Sequence, residues 1–94
     1  MGDNQILVPL KIDLHISSDA LDSYLLDQIH AAEEYIKTEG IKLDPNNFGD
    51  RLLVEMYAAH LYRSRRDTGD KSKMPRMLRW ALNNRLFSKK ISEG

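Results

Sequence analysis

The stretch from Tyr62 to Trp80 has the residue types that best support a binding function. Its sequence is YRSRRDTGDKSKMPRMLRW, with seven basic side chains and only two acidic ones in nineteen positions. Arginine and lysine at this density can neutralise nucleic-acid phosphates, and Tyr62 or Trp80 could stack on bases. The same charges could instead form a solvated basic face, or could pair with an acidic surface.

The remainder of the chain supplies such an acidic surface. Residues 1–62 hold four basic and eleven acidic side chains, a net charge of −7, whereas residues 63–94 hold ten basic and three acidic ones, a net charge of +7. Complementary potentials set register and partner choice in an association. Contacts between two different faces close into rings or extend as filaments. The charge split therefore predicts either head-to-tail association or pairing within one subunit.

The histidines do not have the spacing of a metal site. His15, His30 and His60 lie on three different segments, and none has a second histidine three or four residues away. Glu33 and Glu34 are within reach of His30 on a helix, but no matching pair of ligands occurs elsewhere. We therefore predict no metal site.

The carboxylates and the absence of cysteine argue against an enzyme. Asp19 and Asp22 suit the start of a helix, and Glu33 and Glu34 suit an exposed helix face. Neither pair belongs to an evident cleft that would separate the two pKa values for acid–base catalysis. Without cysteine the chain has no disulfide, thiolate metal site or thiol nucleophile. We expect a protein without catalytic activity or cofactor.

The composition predicts one small globular domain over residues 1–94. The chain is 41% hydrophobic and 30% charged, and no apolar run approaches the roughly 20 residues of a membrane span. The N-terminal sequence MGDNQILVPLK lacks the long apolar core of a signal peptide. A soluble, intracellular protein without a membrane partner is the expectation.

Helical periodicity predicts an all-α fold with three main helices, over residues 19–39, 47–66 and 75–87. Ser18 is the expected N-cap of the first helix, and Gly40 the left-handed residue after it. Asn47 and Asp50 resemble a capping box before the second helix. The apolar stripe of the first helix is Leu21, Leu25, Ile29, Ala32 and Ile36.

The third helix follows a flexible loop predicted over residues 67–74. Pro75 is a favourable first-turn residue. Trp80 and Phe87 fall on a different side of this helix from its apolar stripe. That stripe, which we expect to face the core, is Met77, Leu78, Ala81, Leu82 and Leu86.

The N-terminal segment, over residues 6–17, has two interpretations. Leu10, Ile12, Leu14 and Ile16 alternate with polar residues, which is typical of an extended arm. However, Pro9 suits the first turn of a helix, and Leu10 and Leu14 are four residues apart. The segment is therefore either an extended arm or a short helix.

The order of these segments resembles the small helical head–tail connector, or adaptor, proteins of tailed phages, over about residues 8–87. An arm LKIDLHI precedes the acidic helix start SSDALD, and LLDQIHAAEEYI follows. The next helix ends in HLYRSRR, similar to the family's Leu-Tyr-x-x-Arg. Pro75 then precedes Leu78, Leu82 and Arg85, as in the family's closing helix.

This resemblance implies a non-enzymatic virion protein of the phage neck, present in the host cytoplasm during assembly. Such subunits form a homo-oligomeric ring under the twelvefold portal, extend the DNA channel and dock the next neck or tail protein. It also implies that the N-terminal arm packs as a short helix. A small helical nucleic-acid-binding regulator that uses the basic C-terminal third is the alternative.

Charge complementarity and the resemblance together predict the residues of an oligomer or portal interface. A ring that passes DNA should not line its bore with dense positive charge, because repeated phosphate contacts would hold the duplex. We therefore expect the basic side chains to face a neighbour or the portal, and the loop over residues 67–73 to become ordered on assembly. The predicted set is Tyr62, Arg63, Arg65, Arg66, Lys71, Lys73, Arg76, Arg79, Asp19, Asp22, Asp27, Glu33 and Glu34.

Overall fold

The computed structural model describes residues 3–64 and 74–93, with side chains described over residues 5–64 and 74–87. These residues form helices α1 (Asp3–Asp13), α2 (Asp22–Thr38), α3 (Phe48–Ser64) and α4 (Arg76–Glu93), with no strand in the described ranges. The all-α prediction is confirmed. Residues 65–66, the expected end of the second main helix, lie outside the described residues, as does the predicted loop up to residue 73.

Helix α3 is central, because each of the other three helices packs on it. The buried side chains come from all four helices and from Ile41 in the α2–α3 connection. Fully burying one such aliphatic side chain stabilises the fold by about 1.5–3 kcal/mol. The core consists of Ile6, Leu7, Leu10, Leu25, Ile29, Ala32, Ile36, Ile41, Leu53, Val54, Tyr57, Ala58, Ala59, Leu78 and Leu82.

The N-terminal segment is a helix rather than an extended arm. Helical geometry buries Ile6, Leu7 and Leu10 together against the core, which the alternating pattern of a single strand would not do. His15, at φ 58°, ends the helix in a Schellman motif: its N–H donates to the Ile12 carbonyl at 3.1 Å, and the Ile16 N–H donates to the Lys11 carbonyl at 2.9 Å.

Helix α2 ends as predicted but begins later. Gly40, at φ 96°, donates its N–H to the Lys37 carbonyl at 2.9 Å, and the next residue completes a second Schellman motif. The prediction that Ser18 caps this helix is wrong. Ser18 Oγ accepts from the Ala20 N–H at 3.1 Å in the preceding turn, and Leu21 occupies the cap position without a side-chain bond.

The start of α3 contains half of the predicted capping box. Asn47 Oδ1 accepts from the Asp50 N–H at 3.0 Å, as expected of an N-cap. The Asp50 carboxylate does not return this bond, because the Asn47 N–H donates to the Asp44 carbonyl instead. Asp50 Oδ2 accepts from the Asp44 N–H at 2.9 Å, so the carboxylate turns towards the interior.

Asp50 and Arg85 form the buried ion pair of the described structure. Asp50 is 1% exposed, and its carboxylate oxygens lie 2.6 Å from Arg85 Nε and 3.1 Å from Arg85 Nη2. The hydrogen bond to Asp50 raises the pKa of the guanidinium above its usual value. Arg85 Nη2 also donates to the Lys42 carbonyl at 3.1 Å. One side chain thus connects α4 to α3 and to the α2–α3 connection.

Helix α4 packs through a narrower stripe than predicted. Leu78 and Leu82 are buried and Leu86 is half-buried, at four-residue spacing. The prediction that Met77 faces the core is wrong, because Met77 is an exposed side chain. Each helical residue is rotated by 100° from the one before it, so a stripe centred on Leu82 turns Met77 away from α3.

Replacing Arg85 with leucine should lower the free energy of unfolding by about 3 kcal/mol, because it leaves the buried Asp50 carboxylate without its cation. The matched control is Arg79→Leu. Arg79 Nη1 lies 2.9 Å from Glu39 Oε1 in a more exposed pair, whose loss should cost at most about 1 kcal/mol. Urea denaturation measures both variants, and equal losses would contradict the role given to Asp50.

Replacing Gly40 with alanine should lower the free energy of unfolding by about 1–2 kcal/mol, because its φ of 96° is unfavourable for a residue with a Cβ. The added Cβ would meet only Leu86 Cδ2, at an ordinary 3.7 Å, so the cost is conformational. Gly40→Asn should lose less, since asparagine tolerates this conformation. Equal losses in thermal or urea unfolding would point to a steric cause instead.

Candidate subunit interface

The described basic residues of the predicted interface lie at the end of α3 and the start of α4. Tyr62 and Arg63 are in the last turn of α3, where the Tyr62 ring meets that of Tyr24 edge-on at 6.2 Å. Arg76 and Arg79 are in the first two turns of α4. The other four predicted basic residues lie outside the described residues: Arg65, Arg66, Lys71 and Lys73.

Two of these arginines pair within the subunit. Arg63 Nη2 lies 3.4 Å from Asp13 Oδ2 on α1, and Arg79 forms a two-point contact with Glu39 at 2.9 and 3.5 Å. A guanidinium held by a carboxylate is less available to a phosphate. Arg76 is exposed and has no ion-pair partner among the described residues.

The predicted acidic residues lie on and just before α2, and two of them also pair within the subunit. Lys11 Nζ lies 2.8 Å from Asp22 Oδ1 and 2.9 Å from Asp19 Oδ1. Hydrogen bonding to Asp22, and then to Asp19, raises the pKa of Lys11. These contacts join the end of α1 to the start of α2.

The remaining predicted acidic residues lie along α2. Asp27 is exposed, and Glu33 is half-buried. Glu34 is exposed and lies 4.0 Å from Lys37, at the limit of an ion pair. Within one chain, three described pairs connect the basic part to the acidic part: Arg63–Asp13, Arg79–Glu39 and Arg85–Asp50.

Helix α4 presents an apolar surface to solvent on the side opposite its buried stripe. We call Met77, Trp80 and Phe87 the α4 face; these side chains are 62–71% exposed. Trp80 and Phe87 are seven residues apart and so lie on one side of the helix. The sequence pattern placed Trp80 and Phe87 away from the core but did not include Met77.

Helix α1 presents a second apolar surface. We call Val8 and Ile12 the α1 face; they are one helical turn apart and are 59% and 70% exposed. Because Ile6, Leu7 and Leu10 already fill the inner side, this helix is apolar on both sides. An apolar helix face without a partner marks an interaction site more often than an isolated exposed side chain does.

Helix α3 lies between these two apolar faces. A groove of about 470 Å³ separates α3 from α4, with Leu52, Met56, Trp80 and Ala81 among its lining residues. A smaller pocket of about 130 Å³ lies between α1 and α3, and Leu52 lines both. The α1 face and the α4 face therefore belong to opposite flanks of the subunit.

Each flank carries a charged side chain without a partner of opposite sign in the described residues, and on the α1 side this holds for Arg51 as well as for Glu55. Glu55 lines the pocket on the α1 side, and burial, then the nearby Asp13, raises its pKa. Arg51, one turn earlier, donates to the Pro45 carbonyl and lies over the Phe48 ring instead. Arg76 is the corresponding unpaired charge on α4.

The histidines do not assemble into a metal site. Over residues 3–64 and 74–93, no three histidine, cysteine, aspartate or glutamate side chains are grouped so as to hold a metal ion. His60 Nδ1 lies 3.3 Å from Ser64 Oγ, and its ring packs edge-on against Tyr57. In the same part of the chain, no helix is long and apolar enough to cross a membrane.

The ion pairs that the sequence did not predict join residues that are far apart along the chain. Asp13 and Arg63 are separated by 50 positions, and Glu39 and Arg79 by 40. No local periodicity indicates such pairs. The outward Val8 and Ile12 could have been noticed, because a helix that contains LVPLKI has apolar residues on all sides.

Replacing Glu55 with glutamine should stabilise the protein at pH 7. Because the folded state raises the pKa of this carboxyl, ionised Glu55 disfavours folding, and the penalty is fully present above the folded pKa. Below the unfolded value of 4.5 the carboxyl is protonated in both states, so the advantage of the variant should disappear. Urea unfolding at several pH values measures this difference. An advantage that is independent of pH would contradict the assignment.

No family model matches the chain, and no curated protein or solved structure is significantly similar to it. The resemblance to head–tail connectors therefore depends on the order and spacing of the sequence segments.

Proposed function

We propose that this chain is a structural virion protein, a head–tail connector subunit of a tailed phage. In this role it forms a homo-oligomeric ring under the portal, twelvefold where the portal templates it. The ring extends the DNA channel and docks the next neck or tail protein. The chain acts by binding other proteins and not by catalysis.

The observation that carries this proposal is the pair of apolar helix faces on opposite flanks of the subunit. Five large side chains, Val8 and Ile12 on α1 and Met77, Trp80 and Phe87 on α4, are more than half exposed. A monomer gains nothing from leaving two such faces in water, whereas a ring subunit needs two different faces for its two neighbours. The order of segments seen in the sequence adds support from the family resemblance.

The described arginines make the nucleic-acid regulator the weaker candidate. Arg63 and Arg79 pair with acids of the same chain, and Arg85 is engaged by Asp50. Binding through phosphates requires cations that are free to replace counterions. A channel subunit, by contrast, benefits from having these charges neutralised, because DNA must pass without being held.

Native mass spectrometry across a protein and salt series, with and without a short DNA duplex, tests the proposal. A connector should form a large discrete assembly at high protein concentration and should not bind the duplex. A monomer or dimer that binds the duplex at low salt, and loses it steeply as salt rises, would support the regulator and contradict the connector.

The only tryptophan of the chain provides a second readout of the same titration. Trp80 lies on the exposed α4 face. Its fluorescence should shift to shorter wavelength if assembly removes this face from water. An assembly that forms without any change in Trp80 emission would place the contact elsewhere on the subunit.

A further inference from the structure

We infer that neighbouring copies join through the α1 face of one subunit and the α4 face of the next. The proposed contact, which we call the joint, places Val8 and Ile12 of one subunit against Met77, Trp80 and Phe87 of the next. Glu55 of the first subunit then faces Arg76 of the second. This inference rests on the proposed function for the closed ring. It differs from the predicted interface, in which the acidic residues of α2 meet the basic run.

The apolar parts of the two faces are complementary in size. The α1 face has two branched aliphatic side chains one turn apart, and the α4 face has two aromatic rings two turns apart with a methionine beside them. Each face lies on the outer side of a helix, so two helices can pack together side by side. Ridges of side chains on one helix then fill grooves on the other.

The two charges assigned to the contact, Glu55 and Arg76, have opposite signs and lie on different flanks. Arg51 shares the Glu55 flank without a carboxylate partner, but it contacts the Pro45 carbonyl and the Phe48 ring. Glu55 lies on the α1 side, where the negative charge of Asp13 acts on it, and it has no cation within ion-pair distance in the described residues. Arg76 lies one position before Met77 at the start of α4 and also has no partner there. A contact between copies would bring these two opposite charges together.

The arrangement of the helices favours a head-to-tail contact. Glu55 and Arg51 lie on the side of α3 that faces α1, whereas Asp50 and Leu53 lie on the side that faces α4. The two apolar faces therefore lie on different flanks of α3 within one subunit. A two-fold dimer would cover only one of them on each copy, whereas successive α1-to-α4 contacts cover both.

The size of the faces makes a single joint weak. Trp80 and Phe87 are roughly two-thirds exposed, so each offers on the order of 100–150 Å² to a partner. The area buried on each partner is therefore smaller than in a standard stable interface, which buries about 800 Å² per partner. In a closed ring each subunit has two joints, and both the α1 face and the α4 face are covered. We expect monomers at low concentration and closed assemblies at high concentration, with few dimers between.

Disulfide trapping tests the joint even if it is weak, because the natural chain has no cysteine. Ile12→Cys and Trp80→Cys are prepared separately, and both substitutions replace exposed side chains. Mixed under mild oxidation, the two variants should form a disulfide-linked dimer at least about tenfold faster than either variant forms one alone. Asp27→Cys mixed with Trp80→Cys is the control for random collision and for a joint made by the acidic face of α2.

Charge reversal tests the polar part of the joint. Glu55→Lys and Arg76→Glu should each weaken self-association by about tenfold, since each places like charges together. The double variant should recover it, as should a mixture of the two single variants. Asp27→Lys and Lys42→Glu are matched reversals of exposed charges on other parts of the surface, and neither should change the association.

The outcomes distinguish this joint from the proposed function. Rapid trapping in the mixture, with recovery in the double variant, supports both. Suppose that the natural chain forms a discrete ring but the cysteine variants do not trap, or that Asp27→Cys traps with Trp80→Cys as fast as Ile12→Cys does. Either outcome overturns the joint and leaves the connector function standing. Trapping of Ile12→Cys alone indicates a two-fold contact and overturns the joint. A natural chain that does not assemble, together with cysteine variants that do not trap, overturns it also. A monomer that binds duplex DNA overturns the connector function as well.

Discussion

The position of α4 depends on one buried carboxylate. An aspartate removed from water costs several kcal/mol unless it is paired and hydrogen-bonded, so Asp50 requires the guanidinium of Arg85. The stripe of Leu78, Leu82 and Leu86 repeats every four residues, and a shift of one turn would keep much of its packing. The same shift would remove Arg85 from both Asp50 and the Lys42 carbonyl. The ion pair therefore selects one register, and that register sets where Trp80 and Phe87 lie.

In the described structure, charged side chains pair within the subunit, whereas large apolar side chains are exposed to solvent. The composition indicates the reverse. A chain whose two parts carry −7 and +7 would be expected to associate through charge. In the folded subunit, however, Lys11, Arg63 and Arg79 already hold acidic partners, while large apolar side chains remain in water. Intrasubunit pairs connect the helices, and the two faces of the proposed contact are apolar, with Glu55 and Arg76 at their edges.

Local features of the sequence predicted much of the fold. Gly40 ends α2 and Asn47 caps α3, because such motifs involve residues only a few positions apart. The direction of the Asp50 carboxylate could not be predicted in this way, since the competing partner is 35 positions away. The N-terminal period-two pattern was ambiguous because burial against α2 and α3, which decides it, is a tertiary effect. The exposed α4 face was predicted only for Trp80 and Phe87, because the exposure of Met77 depends on how α4 is rotated against the core.

The central place of α3 has a mechanical consequence. Because α1 and α4 pack on different sides of α3, a force that pulls α1 away from α4 passes mainly through this helix and its contacts. A second route runs through α2, by way of the Lys11–Asp22 and Arg79–Glu39 pairs. On the α4 side the load falls on Leu78, Leu82 and the Arg85 guanidinium, and on the α1 side on Ile6, Leu10 and the Arg63–Asp13 contact. Under tension the packing of α1 and of α4 on α3 therefore acts in series, with the ion pairs to α2 as a parallel path.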